Sequence, residues 1–310
     1  MSKIIAKQPT NQGITKKWLF LSLISLALAG VLTIIIVLSR VPAINDILSL
    51  SGFFKTALVI HVDLSQICWM LTILCLISVY YKLQFSNVAK LSLYLAYIAV
   101  FLIFCSSFAS NSVASLNNYI PVLDNNILFA LGLAIFFTSI LLHAFATLNY
   151  KIKFLENPPT DNIIYCANIT LILAFIIFLL THQILLPQTN ETNFFEILFW
   201  GFGHILQLLY IYLMLFAWIK ICTKLNISLL ISTKHTNYLI LLHLLIALSS
   251  IIFFAKGENL DLSTYKSLFT AQMAYGASIV SSIFTFIIIY SIFKKYPKGR
   301  TAEDNILKYS

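Results

Sequence analysis

Eight stretches of this chain, roughly 18–38, 53–81, 89–109, 126–148, 163–186, 194–221, 237–254 and 268–292, are apolar over about the length of a bilayer-crossing helix. A hydrocarbon core about 30 Å thick takes about 20 such residues per crossing. No water reaches peptide groups there, so each crossing must pair its own backbone as a helix. The expectation is an all-α fold: a polytopic membrane bundle of about eight transmembrane helices, forming a single domain over 1–293. A polar cytoplasmic tail, 294–310, follows it. Hydrophobic residues make up 60% of the 310 and charged ones only 10%, more apolar surface than a soluble core could hide. The seventh stretch is the weakest, being short and preceded by the polar run "STKHTN".

The net charge of +9 raises nucleic acid as a partner, but its distribution argues against that. With the N-terminus in the cytoplasm, only Arg40, Lys55, Lys256 and Lys266 of the 20 Lys and Arg fall outside; inside fall Lys3, Lys7 and all the rest. Basic loops stay cytoplasmic, so the charge records topology, with both termini inside. Outer loops hold most of the acids: Asp46, Asp124, Glu191, Glu196, Glu258 and Asp261. Together these features place the chain in the lipid bilayer of a bacterial inner membrane, with no nucleic-acid partner. The five cysteines lie in or beside apolar spans without a CxxC spacing, which reads as apolar filler.

Between spans, the longest interruptions are 110–125, "SNSVASLNNYIPVLDN", and 257–266, "GENLDLSTYK", both external. "NPPTDN", 157–162, reads as a tight cytoplasmic turn, because proline removes a backbone donor. Trp18, Tyr119 and Trp200 fit interfacial anchors.

An ionisable side chain inside a span costs about 2.5–3.5 kcal/mol on insertion scales, so each needs a reason. Here they are His61 and Asp63 in the second span, His143, His182, His204 and His243. His61 lies eight residues after Phe53 and His204 ten after Phe194, both on spans running inward. At about 1.5 Å per residue the two sit in the outer half at similar depth. His182, near the outer end of the fifth span, could approach that level, whereas His143 and His243 lie deeper. The common role for such a histidine is a hydrogen bond to a neighbouring helix; the other is metal ligation.

Steps of three and four from His61 lead to Ser65, Cys68, Thr72 and Cys75, and from His204 to Gly201 and Gln207. Glycines in "WGFGH" admit a neighbour, or a flat cofactor, close to the backbone. Asp63 lies roughly 200° round the helix from His61 and cannot orient its ring. Any partner must come from another helix or from water.

"ALVIHVDLSQICWML" and "LFWGFGHILQLLYIYLML" resemble the second and sixth helices of subunit I of haem–copper oxidases, in particular the short cbb3-type or cytochrome c oxidase subunit I-like proteins. The resemblance implies that His61 is an axial haem ligand and His204, in the Trp200–His204 segment, a copper ligand. His182 is a further candidate metal ligand, and Asp63 and Gln207 are the other intramembrane polar groups. It implies a role in respiratory electron transfer or oxidase assembly, alongside other respiratory-chain subunits. The chain has fewer spans than a full subunit I and lacks the paired histidines after the seventh helix and on a later one. Those absences speak against a complete terminal oxidase. The alternative is a small-solute transporter or permease using Asp63 and the histidines as its polar site.

Overall fold

The computed structural model describes residues 12–44, 53–82, 87–109, 112–148, 153–185 and 193–295. Eight helices are long and apolar enough to cross a membrane: α1 Gln12–Leu38, α2 Phe54–Tyr81, α3 Asn87–Ser106, α4 Ile127–Leu148, α5 Pro159–Ile184, α6 Phe194–Lys224, α7 Thr233–Gly257 and α8 Leu262–Lys294. The fold is the all-α bundle expected, and the protein is a multi-pass membrane protein. Between α3 and α4 a short antiparallel hairpin, β1 Val113–Ser115 and β2 Val122–Asp124, pairs Val113 with Asp124 and Ser115 with Val122. Lys3, Lys7, Asp46, Glu191 and the tail beyond Lys295 lie outside the described residues.

The chain divides into two compact units, 1–150 with 181–203, and 151–180 with 204–310. In the first, α1 packs on α2 and α3 on α4. The buried face of α1 carries Trp18, Leu21, Ser22, Ser25, Ala29 and Leu32; small residues there bring the helix axes close. The same device joins α3 and α4: the backbone of Ile103 presses on Gly132, and the Ser139 hydroxyl donates to the Ser92 carbonyl at 2.6 Å. The opposite face of α1 exposes Leu19, Phe20, Leu23 and Ile34, as lipid contact requires.

In the second unit, side chains fasten the helices through backbone carbonyls. Tyr212 donates from its hydroxyl to Ile240 O at 3.1 Å. Asn237 Nδ2 reaches Phe154 O and Asn157 O at 3.1 and 3.0 Å.

Several local expectations are corrected. "NPPTDN" is not one turn: the turn covers Phe154–Glu156, and Pro159 opens α5, where a missing N–H costs nothing because first-turn donors have no helical partner. "STKHTN" does not precede the seventh helix but begins it, with Ser232 as the N-cap accepting from His235 N. The outer loop after it is shorter than 257–266, since α8 starts at Leu262 behind the N-cap Asp261. That reversal turns on Gly257, at φ 53° and ψ −132°, a conformation open to glycine and strained for other residues. Trp18 is no interfacial anchor: it is fully buried, its ring edge-to-face with His143 at 5.3 Å.

Two helices are not uniformly α. Residues Asp63–Cys68 of α2 and Gln272–Ala277 of α8 form π-helical segments. Trp69 N–H reaches back five residues to Leu64 O, and Ser278 N–H five to Met273 O. Each segment shifts the angular register of whatever follows it.

Candidate functional site

His61 is half-buried on α2, and its Nδ1 lies 2.9 Å from Ala29 O and 3.0 Å from Thr33 Oγ1 of α1. A carbonyl oxygen only accepts, so Nδ1 carries the proton. The Thr33 hydroxyl spends its own proton on Ala29 O at 3.1 Å, leaving its oxygen to accept from the imidazole. The ring is thereby held in one tautomer with a lone pair at Nε2, the posture that metal-bound histidines take from their backbone partners. The partner comes from another helix and not from Asp63, as the angular spacing predicts.

Asp63, the first residue of the π segment, is fully buried, and neither carboxylate oxygen has a hydrogen-bond partner among the described residues. Such a group, taken from water without compensation, costs several kcal/mol in its ionised form. The same segment breaks the stripe expected below His61. Cys68, Thr72 and Cys75 are buried, but Ser65 is only half-buried, because one extra residue per turn rotates it off the line.

The Gly201–Gly203 region meets an occupant that sequence reasoning missed. A Cβ on Gly203 would lie 2.2 Å from Tyr119 Cγ and 2.4 Å from its Cδ1. The neighbour admitted by that glycine is thus an aromatic ring of the protein's own hairpin loop, edge-to-face with Trp200 at 5.6 Å. Asn118 fixes the loop by donating from N and Nδ2 to the two carboxylate oxygens of Glu196, at 3.1 and 2.8 Å. Asn117 Oδ1 accepts from Tyr119 N and Ile120 N. Burial, then the Glu196 charge, push the Tyr119 phenol up to about 12, so it stays neutral. The signal was present in "LNNY", since Asn favours such side-chain-to-backbone turns.

His204, Gln207 and His243 belong to the second unit. His204 is 4% exposed with its ring 5.8 Å from that of Phe269, and Gln207 is half-buried. His243 takes the expected structural role: Nε2 donates to Leu208 O at 3.1 Å, and the ring stands edge-to-face with Tyr212 at 4.7 Å. His143 does not; neither of its ring nitrogens has a partner, nor does the Trp18 indole N–H beside it. His182 is exposed near the end of α5. All five cysteines are free, four of them buried. Among the described residues, no three His, Cys, Asp or Glu side chains come together in a metal-holding group.

Relatives exist in distant bacteria. The chain is 30% identical over 299 residues to uncharacterized protein RP382 of Rickettsia prowazekii (strain Madrid E), covering 86% of this chain and 57% of that protein. It is 26% identical over 274 residues to an uncharacterized protein of Aquifex aeolicus (strain VF5), covering 88% of this chain and 68% of the other. The chain therefore spans under two thirds of the Rickettsia protein's length. No family model matches, and no solved structure matches.

Proposed function

We propose that this chain is a redox protein of a bacterial inner membrane that holds a haem through His61. One observation carries the reading: the Nδ1–H of His61 is committed to Ala29 O and Thr33 Oγ1, which aims a lone pair from Nε2 on a helix with no other histidine. Bound there, a haem would supply one-electron transfer, with its potential set by axial-ligand basicity and surrounding polarity. The residues' own part is orientation. Ala29 O and Thr33 Oγ1 fix the ring plane and enrich the imidazole, while the apolar faces of α1 and α2 keep water from it. His204 remains the copper-ligand candidate of the second unit, and respiratory-chain subunits are the partners this reading implies.

Purification in detergent, with oxidised and dithionite-reduced absorption spectra and iron analysis, tests it. A Soret band is expected, lost in His61→Ala. In Thr33→Val the band should persist with a displaced midpoint potential, because the ligand stays while its hydrogen bond is loosened. A colourless, iron-free protein from haem-replete cells sinks the reading.

A second reading, a small-solute permease, draws on Asp63, the buried carboxyl with neither oxygen paired. It expects a metal-free protein whose thermal unfolding is raised by a solute, an effect abolished in Asp63→Asn. A solute screen that leaves the melting curve unmoved removes that support.

A further inference from the structure

The second unit contains a cleft of about 470 Å³ of empty space between the ends of α6 and α8, lined by Trp218, Ile221, Cys222, Thr285, Ile288 and Ile292. Its floor is a packed apolar cluster of Cys222, Ile227 and Ile288. The one hydroxyl on the wall is turned away, as Thr285 Oγ1 donates to Ser281 O of its own helix at 2.8 Å. A hydrogen bond from Leu230 N to Ser291 Oγ at 3.0 Å ties the segment after α6 to α8 beside the cleft. The lining therefore offers dispersion contacts and no hydrogen bonds.

Charge marks the mouth. Lys224 is exposed three residues beyond Ile221, on the same side of α6, and Lys294 is exposed at the end of α8 with its ammonium 5.8 Å from the Tyr290 ring centroid. No acidic residue occurs from 197 to 257 or from 262 to 295. The rim is thus cationic without internal compensation, at helix ends where basic residues mark the cytoplasmic leaflet. Basic pockets of this kind between membrane helices receive anionic headgroups.

Size decides between occupants. One turn of a partner helix fills a cylinder about 10 Å across and 5.4 Å long, on the order of 400 Å³, so the cleft would take a single turn. A hydrocarbon chain is slender enough to follow it. We propose that this cleft is a binding site for an anionic glycerophospholipid, with one acyl chain against Trp218, Ile221 and Ile288 and the phosphate at Lys224 and Lys294.

Trp218 makes the site readable. The full-length protein is reconstituted in phosphatidylcholine vesicles containing increasing fractions of bromine-labelled phosphatidylglycerol, and tryptophan fluorescence is followed. A parallel series uses bromine-labelled phosphatidylcholine. Quenching by the anionic lipid should reach half-saturation at a several-fold lower mole fraction than quenching by the zwitterionic one. The difference should vanish in Trp218→Phe, which assigns it to this cleft. It should shrink towards unity in the Lys224→Gln/Lys294→Gln double variant, whose helical circular dichroism verifies that it is folded. Coincident curves in the wild type overturn the proposal, as does a preference that survives in either variant. A cleft filled by a protein segment would leave Trp218 unquenched by both lipids, and that result overturns it equally.

Discussion

The two π-helical segments use one backbone device to opposite ends. In α8, Gln272 opens the segment and is spoken for: Nε2 donates to Ile246 O at 2.6 Å and lies 3.1 Å from Ser249 Oγ, both on α7. Gly276 in the same segment lets Ile246 come close, its Cγ2 within 2.7 Å of where a Cβ would stand. That distortion joins two helices. In α2 the corresponding opening residue is Asp63, equally buried but without a partner for either oxygen. The contrast teaches that a π segment in lipid is not in itself a sign of activity. What separates a fastening from a site is whether the polar group it delivers finds an acceptor or donor across the interface.

Four changes probe the contrast. The largest effect is expected from Gly276→Ala: the new methyl must displace Ile246 near its root, and overpacking of this kind costs about 1–3 kcal/mol. Denaturant unfolding in detergent reads that loss. Asp63→Val should go the other way, gaining about 1–2 kcal/mol, since it removes a buried polar group that nothing compensates. Destabilisation by Asp63→Val would mean the carboxyl is paired after all, and the contrast would break. If His61 alone carries the haem, the same variant should keep the absorption spectrum. Gln272→Leu should lose about 1 kcal/mol, the scale of one interhelical hydrogen bond in a membrane protein.

The smallest effect lies at the start of α8. Asp261 caps that helix, its carboxyl oxygens 2.8 Å from Thr264 N and 2.6 Å from Thr264 Oγ1. The Thr264 side chain first, then its backbone N–H, hold the carboxyl below its ordinary value of 3.8. A lowered folded value means the cap's contribution is complete above the ordinary carboxylate range and is lost as the pH falls through the lowered one. Melting curves of wild type and Asp261→Ala should therefore differ slightly at neutral pH and converge below 3.8. A gap that persists in acid would place the effect elsewhere.

Hydropathy made the eight crossings legible, because length and apolar content are what a bilayer selects on. The depth and angular separation of His61 and Asp63 were legible too, since both follow from the helical repeat. Three things were not. The π segments change the repeat itself, and nothing in "DLSQIC" or "QMAYGA" announces an extra residue per turn. Trp18 looks like an anchor beside Lys16 and Lys17, yet burial depends on His143 from a distant part of the chain. The Gly203 contact likewise needed tertiary structure: the sequence shows that something could approach, but only packing names Tyr119. Even "STKHTN", polar by composition, is helical because Ser232 supplies the cap that its first turn lacks.

The ring of Tyr119 pressed on Gly203 makes the outer hairpin a gatekeeper in competition with any guest. A planar molecule seeking that patch of α6 backbone must first evict the phenol, and eviction strains the Asn118 grip on Glu196. Occupancy there would consequently be betrayed at a distance, by accelerated protease cutting around 112–124, before any colour or turnover was measured.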